Sequence, residues 1–202
     1  MKNLFKKITP AVKHLFLINI SIYIILLTLD LFLNINMIDV NNYIGAFCYV
    51  SENFNIYQVI TYMFIHDVIP IHIGINMFFF LLFAPNFERI FGYNLTIISY
   101  FFFGIMSFLC FNFGINQTNV LLIGSSGSVI GFSIIFLIIN YLNFQKIIYN
   151  LLVVLLIIEL VAIFNYGNFY NLITGYGHLG GIIGGIIMYS FLKFLQLKRA
   201  II

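Results

Sequence analysis

The sequence contains six apolar runs that are each long enough to cross a lipid bilayer as a helix. A hydrocarbon core of about 30 Å requires roughly 20 helical residues. With 62% hydrophobic and 7% charged residues among 202, the chain has too little polar surface for a soluble globule. We therefore predict an all-α, polytopic membrane protein built as a bundle of six transmembrane helices. The predicted spans are Leu15–Ile35, Ile71–Phe91, Leu95–Ile115, Val120–Phe144, Ile147–Phe164 and His178–Leu195.

The basic residues predict the side of the membrane on which each loop lies. The nine Lys and Arg residues fall in the amino tail, between predicted spans two and three, between spans four and five, and at the carboxyl end. The long segment Asn36–Pro70 contains acidic residues and no basic one. Because cytoplasmic loops carry the excess of Lys and Arg, we predict that both termini are cytoplasmic. The basic residues are Lys2, Lys6, Lys7, Lys13, Arg89, Lys146, Lys193, Lys198 and Arg199.

This topology divides the chain into a membrane domain and two short tails. The predicted cytoplasmic tails are residues 1–14 and 196–202. The membrane domain covers residues 15–195 and includes an outer loop at residues 36–70. The net charge of +3 then reflects orientation in the bilayer, and it gives no reason to expect a nucleic-acid partner.

Four polar residues are expected at a similar depth in the outer part of the bilayer. Spans two, four and six run in the same direction, and each carries polar residues near its start: His72 and Asn76, Ser126, and His178. Polar side chains inside a membrane are costly and usually face a protein or water-filled interior. His72 and Asn76 are four residues apart, so they share one helix face and can donate hydrogen bonds to the same point.

Ser126 is a candidate nucleophile because of the residues around it. It follows Gly124 and precedes Gly127 at the start of a long apolar run. A helix that begins at about Ser126 leaves its first backbone N–H groups without intrahelical partners, so they are available to a developing oxyanion. The glycines allow a substrate backbone to approach closely.

A glycine-bearing face is predicted to bring His178 to Ser126. His178, Gly181 and Gly185 follow a helical spacing in span six, and Gly127 offers a small residue beside Ser126 in span four. Small residues at such positions let helices pack backbone to backbone. Ser126 and His178 can then come within hydrogen-bond reach, which is the geometry that a serine nucleophile and its general base require.

Together these motifs resemble the rhomboid family of intramembrane serine proteases, in its basic six-span bacterial form. The resemblance covers about residues 57–190. It consists of four motifs in order along the chain: His72-x-x-x-Asn76, Glu88-Arg89-x-x-Gly92, Gly124-x-Ser126-Gly127, and Gly177-His178-x-x-Gly181-x-x-x-Gly185.

The resemblance implies a function and assigns roles to the residues. Ser126 would attack a peptide bond and His178 would activate it, without a carboxylate. His72, Asn76 and the Ser126 backbone N–H would stabilise the oxyanion. The implied substrates are single-span membrane proteins cut near the outer face, and the implied location is the inner (plasma) membrane of a bacterium, in contact with the lipid bilayer. No cofactor and no metal is implied.

Two residues are unexpected in a rhomboid-like protein, and two other functions remain possible interpretations of the sequence. The family commonly has an aromatic residue four positions after the serine, where this chain has Ile130, and Glu159 is an acidic residue within span five. A transporter or channel could use the polar residues of spans two and six together with Glu159 as a proton or ion relay. A noncatalytic relative could bind membrane helices without cutting them. A metalloprotease is disfavoured because the sequence contains no His-Glu-x-x-His.

Overall fold

The computed structural model describes residues 8–114, 120–140 and 169–199, and these residues are almost wholly helical. One small antiparallel sheet joins two short strands, with Ala46 opposite Leu122 and Phe47 opposite Leu121. A 3-10 turn covers Tyr62–Phe64. The other elements are helices α1 (Pro10–Leu33), α2 (Met37–Ile44), α3 (Gln58–Thr61), α4 (Pro70–Phe91), α5 (Tyr93–Gly114), α6 (Ser126–Asn140) and α7 (Phe169–Arg199), with strands β1 (Ala46–Phe47) and β2 (Leu121–Leu122).

Four described helices are long and apolar enough to cross a membrane, which makes the chain a multi-pass membrane protein of all-α class. They are α1, α4, α5 and the Gly175–Leu195 part of α7. The apolar stretch of α6, Ser126–Ile139, is shorter. The helical part of the fourth predicted span does begin at Ser126, because strand β2 and then a turn at Gly124, with φ +103°, precede it. The fifth predicted span, including Glu159, lies outside the described residues, so the total of six spans stays a prediction.

Helix α1 begins at Pro10, ahead of the predicted start at Leu15. Proline suits the first helical turn, since its fixed φ is helical and it lacks an N–H that would have no partner there. The next two N–H groups, of Ala11 and Val12, donate to the two carboxylate oxygens of buried Glu88 at 2.8 and 3.0 Å. An acidic side chain at a helix N-terminus is favourable because of the exposed N–H groups and the helix dipole. This cap joins the start of α1 to the end of α4.

The segment between α1 and α4 is ordered by its own polar side chains. The side chain of Asn36 accepts a hydrogen bond from the Ile38 N–H at 2.8 Å and so caps α2. The buried amide of Gln58 accepts from Asn55 N at 3.1 Å and donates to the Tyr43 carbonyl at 3.1 Å. The pairing of β1 with β2 then fixes this segment to the residues that lead into α6.

The bundle is held together by aromatic packing near the middle of the helices and by close backbone contact between α5, α6 and α7. Phe132 of α6 is fully buried, and its ring lies 5.8 Å from Phe80 of α4 and 5.1 Å from Phe103 of α5, centroid to centroid. On α7, Gly180 lies against the backbone of Met106 so closely that a Cβ there would overlap it. The start of α6 is therefore held between α4, α5 and α7.

Candidate active site

A turn that requires glycine places the first residue of α6. Gly124 has φ +103°, a backbone conformation that residues with a Cβ rarely adopt. Its N–H donates to the Tyr62 carbonyl at 2.9 Å, which ties the turn to the 3-10 segment before α4. The Ser125 carbonyl accepts the first α-helical bond, from Val129 N at 3.0 Å. The helix therefore starts with Ser126, and the N–H groups of its first turn have no intrahelical acceptor.

The serines around this turn differ in accessibility. Ser126 is partly exposed, whereas Ser125 and Ser128 on either side have 1% and 0% of their surface accessible. Ser128 donates its hydroxyl to the Tyr100 carbonyl at 2.7 Å. Ser126 is thus the member of this group that an incoming molecule can reach.

His72 lies against the turn that precedes Ser126. A Cβ placed on Gly124 would lie 2.9 Å from both Cε1 and Nε2 of the His72 ring, so the imidazole edge touches the glycine backbone. The Asp67 N–H donates to His72 Nδ1 at 3.3 Å. Since that nitrogen uses its lone pair as an acceptor, the proton of the neutral ring is on Nε2. The Nε2–H donor therefore faces the segment that leads into Ser126.

Asn76 lies one helical turn after His72, and it is buried with 5% of its surface accessible. Its amide nitrogen donates to the His72 carbonyl at 2.9 Å. That bond fixes the side-chain rotamer along α4. A primary amide carries two N–H groups, so Asn76 keeps one for a further acceptor.

His178 is buried in α7, with 5% of its surface accessible, and glycine contacts bring its turn onto the start of α6. A Cβ on Gly181 would collide with the Gly127 carbonyl, and the Gly177 carbonyl is 3.6 Å from the position of a Cβ on Gly127. His178 is next to Gly177, and Ser126 is next to Gly127. The contact between Gly127 and Gly177 therefore lies next to both Ser126 and His178.

The same face continues inward, where a Cβ on Gly185 would lie 2.9 Å from the Gly131 carbonyl. The structure thus gathers His72, the Gly124–Gly127 segment and His178 at one end of the bundle. Ile130, which stands at the position where an aromatic residue was expected, is buried on α6.

His66 is a member of this cluster that the sequence analysis missed. It is fully buried in the segment before α4, its ring centroid lies 5.3 Å from that of His72, and its Nε2 lies 3.4 Å from Ser125 Oγ. Burial, together with the smaller effect of the nearby His72 ring, lowers the pKa of His66 to about 3. The sequence feature that could have indicated His66 is its position shortly before His72, but it lies outside every predicted span.

The residues described here offer no cluster of three or more His, Cys, Asp or Glu side chains arranged to hold a metal ion. The functional groups of this cluster are instead serine hydroxyls, imidazoles, a carboxamide and helix-terminal N–H groups. Those groups suit acyl transfer to a serine.

The fold and the site define a multi-pass membrane protein with a cluster of polar side chains buried among its helices at one end. A family model, the Rhomboid domain, matches residues 53–194. The chain therefore belongs to the rhomboid family, in which intramembrane serine proteases are typical. No curated protein matches the chain.

Proposed function

We propose that this protein is an intramembrane serine endopeptidase, with Ser126 as nucleophile and His178 as general base. The observation that carries the proposal is the close contact of Gly127 with Gly177 and Gly181, which holds the turn bearing Ser126 against the turn bearing His178. Ser126 is partly exposed and His178 is buried. A reachable hydroxyl beside a shielded imidazole is what a serine nucleophile and its base require.

In the first half of the reaction, Ser126 Oγ attacks the carbonyl carbon of the scissile peptide as His178 accepts the hydroxyl proton. The carbon becomes tetrahedral and its oxygen becomes an anion. Collapse breaks the C–N bond, and His178 returns the proton to the leaving amine. The product that remains is an ester between the new carboxyl end of the substrate and Ser126.

The oxyanion would be stabilised by donors from two helices. The Ser126 N–H is in the first turn of α6, where backbone donors lack intrahelical partners. His72 Nε2–H faces this segment, and Asn76 retains a second amide N–H. Donors aimed at a site from which water is largely excluded are worth more than the same donors in water.

In the second half, a water molecule attacks the ester carbon and His178 accepts a proton from it. A second tetrahedral oxyanion forms at the same donors. When it collapses, the C–O bond to Ser126 breaks and His178 reprotonates the serine. The second product leaves as a carboxylic acid, and the enzyme has regained its starting protons.

The proposed substrates are single-span membrane proteins, cut near the outer face of a bacterial inner membrane. The serine opens a helix that contacts α4, α5 and α7, so it lies within the helix bundle. A substrate helix must unwind locally to present its peptide bond to such a site, because a helical carbonyl is already hydrogen bonded. Substrate segments with helix-destabilising residues are therefore favoured.

The proposal is tested by covalent labelling of the protein purified in detergent. A fluorophosphonate probe should label the wild type and fail to label Ser126→Ala, because it reacts with an activated serine. Ser133→Ala is a matched control, since Ser133 is a buried serine of the same helix whose hydroxyl bonds to the Ile130 carbonyl at 2.8 Å. The control should be labelled as the wild type is.

Proteolysis of a membrane-embedded substrate gives the second readout. Ser126→Ala and His178→Ala should each abolish cleavage, and the double variant should be no worse, because the pair acts as one unit. Substantial cleavage by Ser126→Ala would remove the serine from its proposed role. If the wild-type protein binds substrate but is neither labelled nor active, it is instead a noncatalytic relative.

A further inference from the structure

Ser125, the residue before the proposed nucleophile, has a buried hydroxyl that the mechanism above does not use. Its side chain has 1% of its surface accessible, so it cannot itself meet a substrate. Its Oγ lies 3.4 Å from His66 Nε2. The Tyr100 hydroxyl is a second polar group close to the Ser125 hydroxyl. A hydroxyl can donate to one partner and accept from another, so Ser125 is able to join both.

The two polar neighbours of Ser125 are themselves fixed. The Tyr100 hydroxyl donates to the Met63 carbonyl at 3.3 Å and accepts from Asn19 Nδ2 at 3.1 Å. Tyr100 is fully buried, as is His66. The His66 carbonyl accepts from Asn41 Nδ2 at 3.1 Å. The polar groups around Ser125 are thereby connected to α1, α2, α5 and the 3-10 turn.

This connection bears directly on one proposed oxyanion donor. The peptide plane between Ser125 and Ser126 carries the Ser126 N–H. The Ser125 carbonyl lies in this plane and accepts a hydrogen bond from Val129 N at 3.0 Å, and the Ser125 side chain next to the plane is held by His66 at 3.4 Å. Rotation of this plane would turn the N–H away from its acceptor.

We propose that Ser125 is a positioning residue, which fixes the direction of the Ser126 N–H through its buried hydrogen bond to His66. This inference rests on the proposed function, because it assigns Ser125 an effect on the oxyanion of that reaction. His66 serves as the anchor of the Ser125 side chain. A hydrogen bond between buried groups is electrostatically stronger than the same bond in water.

The test is the kinetics of Ser125→Ala with a membrane-embedded substrate. A donor displaced by a fraction of an ångström to about an ångström lowers the rate by roughly 10- to 100-fold. We expect that loss in kcat, with KM within about twofold of the wild type because substrate binding does not use this N–H. Ser125→Cys, which keeps a weaker donor of similar shape, should recover part of the loss.

A transition-state analogue separates positioning from a general loss of structure. A peptidyl boronate forms a tetrahedral adduct with the serine and places an oxygen at the oxyanion position. Its affinity for Ser125→Ala should fall by the same factor as kcat, since both report the same donor.

Ser128→Ala is the matched control. Ser128 is equally buried, and its hydroxyl bonds to the Tyr100 backbone, so its loss loosens the same helix start without touching the Ser125–Ser126 peptide. Its kcat should remain within a few-fold of the wild type. Wild-type kcat in Ser125→Ala, or a loss that Ser128→Ala reproduces equally, would overturn the proposal. If Ser126→Ala proved active, the proposed function itself would fail, which is a different result.

Discussion

At the scale of single residues, the site depends on neutral hydrogen-bond donors held in fixed directions. His72 receives a hydrogen bond on Nδ1, which leaves its other ring nitrogen as the donor. Asn76 is fixed by a bond to the carbonyl of the preceding turn. Neither side chain needs to reorient when charge develops, and such preorganisation is the main source of electrostatic stabilisation in enzymes.

Replacement of Asn76 by alanine is expected to lower kcat more than it raises KM. Loss of one oxyanion donor typically costs on the order of 100- to 1000-fold in rate. The variant should keep this reduced activity because His72 and the Ser126 N–H remain as oxyanion donors. Steady-state kinetics on a membrane-embedded substrate measures both constants.

Asn112→Ala provides the comparison for this experiment. Asn112 makes the same kind of bond as Asn76, from its amide nitrogen to the Phe108 carbonyl one turn earlier at 2.9 Å, but on α5 and away from the cluster. Its kcat should change only a few-fold. An unchanged kcat in Asn76→Ala would remove that residue from the oxyanion site.

At the scale of elements, the contact between α6 and α7 determines whether the proposed nucleophile and base can meet. Backbone atoms of Gly127 and Gly181 touch, so the interface has no room for a methyl group. Interhelical packing in membranes relies on such small residues because lipid gives no hydrophobic drive for helix association. The glycines therefore affect the proposed catalysis by allowing a short distance between α6 and α7.

Gly181→Ala is expected to force α7 away from α6 and to lower both stability and activity. Overpacking typically costs about 1–3 kcal/mol, which corresponds to roughly 2–12 °C in melting temperature for a chain of this size. Cleavage should fall further than stability alone explains, because His178 moves with α7. Thermal unfolding in detergent and cleavage rates at a temperature well below unfolding distinguish the two effects.

Gly74→Ala is a control for glycine replacement in a membrane helix. A Cβ at Gly74 meets nothing within 4 Å, and the residue lies on α4 between His72 and Asn76. Alanine has the higher helix propensity by about 1 kcal/mol. This variant should be as stable as the wild type or more so. A melting temperature for Gly181→Ala equal to that of Gly74→Ala would contradict the close-contact interpretation.

At the scale of the whole molecule, the arrangement of the ends supports one orientation. Glu88 of α4 caps the start of α1, and His14 of α1 bonds to Tyr93 at the start of α5 at 2.9 Å. The basic residues Lys13 and Arg89 are therefore at one end of the bundle. The positive-inside rule predicts that this end is cytoplasmic.

Cysteine accessibility in intact cells tests this orientation and the number of spans. In a Cys48→Ala, Cys110→Ala background, Glu52→Cys should react with a membrane-impermeant maleimide from outside. Lys13→Cys and Ile202→Cys should react only after permeabilisation, since six spans put both ends on the same side. Reaction of Ile202→Cys in intact cells would mean an odd number of spans.

The sequence alone was sufficient for the membrane class, the family and most helix positions. Apolar runs and the helical repeat are properties of residues close together in the chain, so they can be counted before any fold is known. The same local reasoning predicted that the helical part of span four begins at Ser126 and that glycines line the helix containing His178. The roles of Ser126, His178, His72 and Asn76 remain predictions.

Tertiary structure alone decided which distant residues touch. His66 meets Ser125, and Glu88 meets Ala11 and Val12, although many residues separate each pair in the chain. The pairing of β1 with β2 is equally remote. Such contacts depend on how helices approach each other, which is set by side-chain volumes and backbone contacts summed over the whole bundle. No local pattern carries that information, so the network around Ser125 became visible only in the folded chain.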